Sequence, residues 1–183
     1  MEVVILQILT FVPLTDFRIQ IGKKSLARHK QRSKLESLKK MNDVREVGVV
    51  YDVKRTSAQL LNKVTHYFES EGKTVITLGY LEEQELGGYV PDKKEMYFCI
   101  KDLNFWKLPK KQAVTSFVSI DFDYLINLDM EGCNELQAIS TYSASKTRMG
   151  KHFENYPFAQ DFMIKSLAET AEELFNDIKQ YIN

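Results

Sequence analysis

EVGVVYD, residues 46–52, is a short β-branched run bounded by polar residues, the pattern of a strand buried on both faces. Downstream, Thr56 stands as a helix cap. Gln59 three residues later completes a capping box, and Leu60, Leu61, Val64 and Phe68 supply an apolar helical face that ends at Gly72. TVITL (74–78) repeats the strand pattern, followed by Gly79 and Tyr80. MYFCI (96–100) and YLINL (124–128) repeat it again, with Pro109 opening a helix that carries Val114, Phe117 and Val118 between them. A short helix from about Asn134 to Tyr142 and an extended piece around 146–149 come next. From Pro157 onward, Phe158, Phe162, Leu167, Ala171, Leu174 and Ile178 predict a long final helix. Apolar strands alternating with helices predict a parallel sheet covered on both faces, because crossover helices bury both sides of such a sheet. The expected fold is therefore a three-layer, Rossmann-like α/β domain with four to five strands.

The chain has 183 residues, the size of about one domain, and 44% hydrophobic with 27% charged residues is close to the globular average and suggests neither disorder nor a coiled coil. The organisation read from the sequence is an N-terminal stretch and basic helix over 1–41 and a single α/β domain over 42–183. Twenty-five basic residues balance 25 acidic ones, so the surface as a whole is no nucleic-acid footprint. The charge is uneven locally. Between Lys23 and Lys40 stand eight basic residues, among them Lys23, Lys24, Arg28, Lys30, Arg32 and Lys34, against the single acid Glu36. With Leu26, Leu35, Leu38 and Met41 as an apolar stripe, this reads as a basic amphipathic helix. It admits a solvated face, an anchor on anionic lipid or a phosphate-backbone contact. Val3 to Leu14 is apolar but too short for a span of roughly 20 residues, and Glu2 before it is wrong for a secretory signal.

Ligands of open parallel sheets bind outside the carboxyl ends of the strands, where strand order reverses. The polar residues expected there are Asp52, Thr56, Gly79, Lys101, Asp102, Asn104 and Asp129, with Arg148 in the polar run 143–148 as a further anion contact. The same residue types also make ordinary turns and caps after strands. Neither Gly-x-Gly-x-x-Gly nor Gly-x4-Gly-Lys-Ser/Thr occurs, no Gly-x-Ser-x-Gly elbow is present, and Cys99, Cys133 and three scattered histidines form no metal spacing. No cofactor, metal or catalytic residue is assigned. Asp121 and Asp123 read as helix-to-strand turn residues. Trp106, in Asn104-Phe105-Trp106, is either a loop anchor or a partner contact.

MNDVREVGVVYD (41–52), EGKTVITLGYL (71–81), YFCIKDLNFWKLPKK (97–111), FDYLINLD (122–129) and SASKTRMGKHFE (143–154) resemble a Bacteroidetes domain family of unknown function (family 6913), over most of the chain from about residue 25. The resemblance implies a cytoplasmic α/β protein and names no catalytic residue. FDYLINLD, with Ala144, Arg148 and Gly150, is also similar to the N-terminal half of heptosyltransferase-like glycosyltransferases. A chain of this length leaves no room for their donor-binding half, so that likeness implies a lone acceptor-type domain without activity. Two functions follow as expectations: a non-enzymatic domain binding a protein partner or an anionic inner-membrane surface through its basic helix, with a homodimer compatible and nucleic acid disfavoured; or a nucleotide-, sugar- or anion-binding module, or small enzyme, using the strand-end rim.

Overall fold

The computed structural model describes residues 14–28 and 38–183. Its sheet comprises β1 (Glu46–Asp52), β2 (Thr74–Leu81), β3 (Glu95–Cys99), β4 (Tyr124–Asn127), β5 (Thr147–Lys151) and β6 (Phe162–Ile164). All neighbours are parallel, in the order β3-β2-β1-β4-β5-β6. The helices described are α1 (Leu14–Arg28), α2 (Ala58–Ser70), α3 (Lys111–Val118), α4 (Asn134–Tyr142) and α5 (Ala171–Ile182). The α/β class expected from the strand pattern holds, with six strands rather than four to five.

Side-chain alternation along the strands sorts the core into two layers. Val47, Val49 and Ile126 face α2 and α5, meeting Val64, Phe68, Leu174 and Ile178. Val50 and Leu125 face α3 and α4, meeting Phe117, Leu136 and Ile139. Gly48 belongs to the second face, where a Cβ would stand 2.8 Å from the Phe122 ring; the strand needs glycine there for close packing. Outside α4 lies α1. Its Leu26 is fully buried with Leu108, Ala138 and Tyr156, and at Gly22 a Cβ would come within 2.6 Å of the Trp106 carbonyl oxygen.

Several local expectations are corrected. The basic helix begins at Leu14 and runs through Gly22, which the close approach to the Trp106 loop requires; Lys39 and Lys40 are extended rather than helical. Lys30, Arg32 and Lys34 lie outside the described residues. Ser57, not Thr56, caps α2: the Ser57 side chain accepts from the Leu60 amide, while the Thr56 amide is turned back onto the Asp52 carbonyl. Pro109 precedes α3 and bridges to Leu103. The long helix from Pro157 is really two elements. Phe162–Ile164 extends the sheet as β6, and the Thr170–Glu173 capping box starts α5 only at Ala171.

Candidate functional site at the strand-order reversal

Strand order reverses between β1 and β4, whose following connections lead to opposite faces of the sheet. A cleft of about 560 Å³ opens at their carboxyl ends. Asp52, Arg55, Thr56 and Ser57 wall it from the β1 side, Leu128 to Glu131 from the β4 side, and Glu169 to Glu172 from the start of α5. Ligand sites of open α/β sheets lie at this position.

Each of the two buried carboxylates here is held by backbone amides. Asp52 accepts from Lys54 N (2.8 Å) and Arg55 N (3.2 Å), shaping the turn into α2. Asp129 accepts from the Glu131, Gly132 and Cys133 amides and from Gln137 Nε2 (2.7 Å), shaping the turn into α4. Burial raises the Asp129 carboxyl above the usual range, and those donors offset only part of the rise. Arg55 pairs with Glu131 at 2.9 Å and with Asp52 at 3.6 Å, linking the β1 and β4 loops.

What remains unbonded is a set of donors. Thr56 is 6% exposed and lines the cleft, yet its hydroxyl makes no hydrogen bond among the described residues. The first amides of a helix have no intrahelical acceptor. In α2 the Ser57 cap satisfies Leu60 and leaves Ala58 and Gln59 free; in α5 the Thr170 cap satisfies Glu173 and leaves Ala171 and Glu172 free. Ala171 and Glu172 line the cleft, while Ala58 and Gln59 lie at the exposed start of α2 beside it. The Glu169 carboxylate is likewise without a partner among the described residues, whereas Glu172 is paired with Lys63.

The residues expected at the rim therefore divide. Asp52, Thr56 and Asp129 are brought together. Gly79 is packed: a Cβ there would meet Val53 at 2.7 Å and Tyr97 at 2.9 Å. Lys101, Asp102 and Asn104 follow the edge strand β3, two strands from the reversal and so roughly 10 Å away. Asp102 accepts from Cys99 N, and Asn104 from Trp106 N and Leu108 N, as turn formers. Arg148 is sealed inside, forked onto Asp161 at 2.8 and 2.7 Å with side chains 4% and 2% exposed. Lys23 lies 5.2 Å from the centre of the Tyr156 ring, Lys24 and Arg28 are exposed, and Trp106 is half-buried beside α1. Arg55, Glu131 and the α5 terminus were not read from the sequence; Thr170-x-x-Glu173 was the available signal for that terminus.

Asp123 sits at the other end of the sheet. Burial pushes its carboxyl up, but Lys39, the Arg45 amide, Lys146 and the Glu46 amide outweigh this and hold it well below the usual range. Burial raises the thiols of Cys99 and Cys133, Asp129 adding to the effect at Cys133, so both stay protonated at neutral pH. Among the described residues no group of three His, Cys, Asp or Glu is placed to hold a metal ion, and no helix is long and apolar enough to cross a membrane.

No curated protein matches the chain, and no solved structure matches it. Residues 18–183 match the model of DUF6913, described as a family of unknown function, and the chain belongs to that family.

Proposed function

We propose that the protein is a ligand-binding module whose site is the cleft between the ends of β1 and β4. The observation that carries this is Thr56, a residue only 6% exposed whose hydroxyl bonds nothing among the described residues, lining a cleft that also receives the first residues of α5, Ala171 and Glu172. Unpaired donors favour a ligand rich in acceptor oxygens. Five carboxylates and one guanidinium line the same cleft, which disfavours a doubly charged phosphate. The ligand class is a small oxygen-rich molecule with at most one negative charge at the point of contact: a sugar, a carboxylate or a phosphodiester. Leu60, Leu128, Met130 and Ala171 give it an apolar wall. A cytoplasmic setting is what the Bacteroidetes resemblance implies.

Binding, rather than catalysis, is what the lining residues support. No histidine or cysteine is among them, and the buried carboxylates are committed to turn amides. The test is thermal denaturation with glucose, lactate, a dinucleotide and inorganic phosphate, each against the wild type and Thr56→Val. A concentration-dependent rise in Tm with one of the first three, lost in Thr56→Val, is expected. A panel that leaves the wild type unmoved, or a rise that survives the substitution, overturns the proposal.

A further inference from the structure

Two basic stretches that lie far apart in sequence meet on the outside of α4. Phe17–Arg28 carries four basic residues and no acid; Lys101–Lys111 carries four lysines and one acid, Asp102, which is bonded to its own turn. The second stretch folds as a narrow loop. Leu103 bridges to Pro109, Asn104 N donates to the Leu108 carbonyl, and Lys107 adopts φ 60° at the turn, so Phe105 and Trp106 stand at the tip. Gly22 brings α1 against this tip, since only a residue without Cβ fits 2.6 Å from the Trp106 oxygen and 2.7 Å from Asn134 Nδ2. The Arg18 guanidinium then lies 3.7 Å from the Phe105 ring centre.

The product is a surface with Phe17 55% and Phe105 56% exposed, Arg18 lying on the Phe105 ring, and Lys24, Arg28, Lys101 and Lys111 exposed on the two stretches. Each segment supplies one exposed phenylalanine and part of the charge, Phe17 from α1 and Phe105 from the loop. We infer that this composite surface docks the domain on an anionic lipid bilayer, Phe17 and Phe105 entering the interface and the lysines and arginines meeting the head groups. The inference is independent of the cleft, which lies at the carboxyl ends of β1 and β4.

Charge complementarity selects an anionic occupant, and the aromatics separate a bilayer from a nucleic acid. Base stacking needs open ring faces. One face of Phe105 is covered by Arg18, and Trp106 packs against the same ring at 4.9 Å and 85°. A ring so held offers its exposed part to an apolar phase rather than a face to a base. With zero net charge over the chain, the attraction has to come from a local excess of cations.

The experiment is co-sedimentation of the full chain with vesicles of mixed phosphatidylcholine and phosphatidylglycerol, and with pure phosphatidylcholine. Binding to the mixed vesicles alone is expected, weakening as salt is raised. Lys24→Glu with Arg28→Glu alters only exposed side chains, so the fold is kept, and affinity falls by at least about tenfold. Phe17→Ser with Phe105→Ser lowers it by a similar factor while leaving the salt slope. Absence of binding to mixed vesicles overturns the inference. Binding indifferent to the phenylalanines also overturns it, leaving simple electrostatic adsorption. Salt-dependent binding to an oligonucleotide, lost with the charge reversals and unmatched by vesicles, replaces it with a nucleic-acid surface.

Discussion

Two polar regions lie side by side on this sheet, and they are built in opposite ways. Between β4, β5, α4 and the segment leading to β6, Asn127, Gln137, Ser140, Arg148, Gln160 and Asp161 form a sealed layer. Asn127 donates to the Leu136 carbonyl and Ser140 hydroxyl, Gln160 to Gln137, Gln137 to Asp129, and Arg148 forks onto Asp161. Across the β1–β4 reversal, the cleft has the Thr56 hydroxyl and the first amides of α5, at Ala171 and Glu172, which nothing in the described protein bonds. Residue type does not distinguish the two. What distinguishes them is whether the donors are already used: the sealed layer fixes strands and helix together, and the cleft keeps its donors for something else.

Breaking the sealed side has the largest consequence. Arg148→Ala leaves the Asp161 carboxylate buried without its fork, at a cost of about 3–5 kcal/mol in urea unfolding. A loss under about 1 kcal/mol means that the region admits water and is not sealed.

Asp129 joins the two regions, since it lines the cleft and closes the Gln137–Gln160 chain. Asp129→Asn keeps the shape but sets an amide donor against donors, and costs about 1–3 kcal/mol. The two ends of β4 also differ in their response to pH. Asp123, held below the usual range, stabilises the fold above the unfolded carboxyl value of roughly 4, and that stability is lost as pH falls toward its folded value. Asp129, raised by burial, does the reverse: its ionised form costs stability at neutral pH, and the cost is relieved as pH falls through its raised value. Unfolding measured at successively lower pH therefore shows Asp123→Asn blunting the acid-side loss and Asp129→Asn removing the earlier relief. An unchanged acid limb in Asp123→Asn contradicts the ion-pair account.

The smallest stability effect falls on the cleft. Thr56→Val removes a hydroxyl that bonds nothing, so stability moves by no more than about 0.5 kcal/mol, which calorimetry resolves. A loss of about 1.5 kcal/mol or more makes Thr56 a structural residue like those of the sealed layer.

The sheet was legible in the sequence because its strands are apolar runs between turn residues, as in 46–52 and 74–78. β6 was not: Phe162, Met163 and Ile164 are only three residues, and their spacing from Phe158 and Leu167 mimics a helix face. Asp52, Thr56 and Asp129 were legible as strand-end polar residues. Arg148 was misleading, because its basic surroundings in sequence, Lys146 and Lys151, do not reveal Asp161 across the fold. Glu169 to Glu172 reach the cleft only through the docking of α5, a long-range contact that local patterns do not carry. The same holds for α1, whose partner loop lies some eighty residues downstream.

The difference between a sealed and an open polar region is tested most directly by backbone amide shifts in an isotope-labelled sample titrated with the ligand that raises Tm. Saturable shifts are expected at Thr56, Ala171 and Glu172, with Arg148, Gln160 and Asp161 unmoved. Shifts centred on the β4–β6 layer, or spread without saturation over the surface, would contradict it.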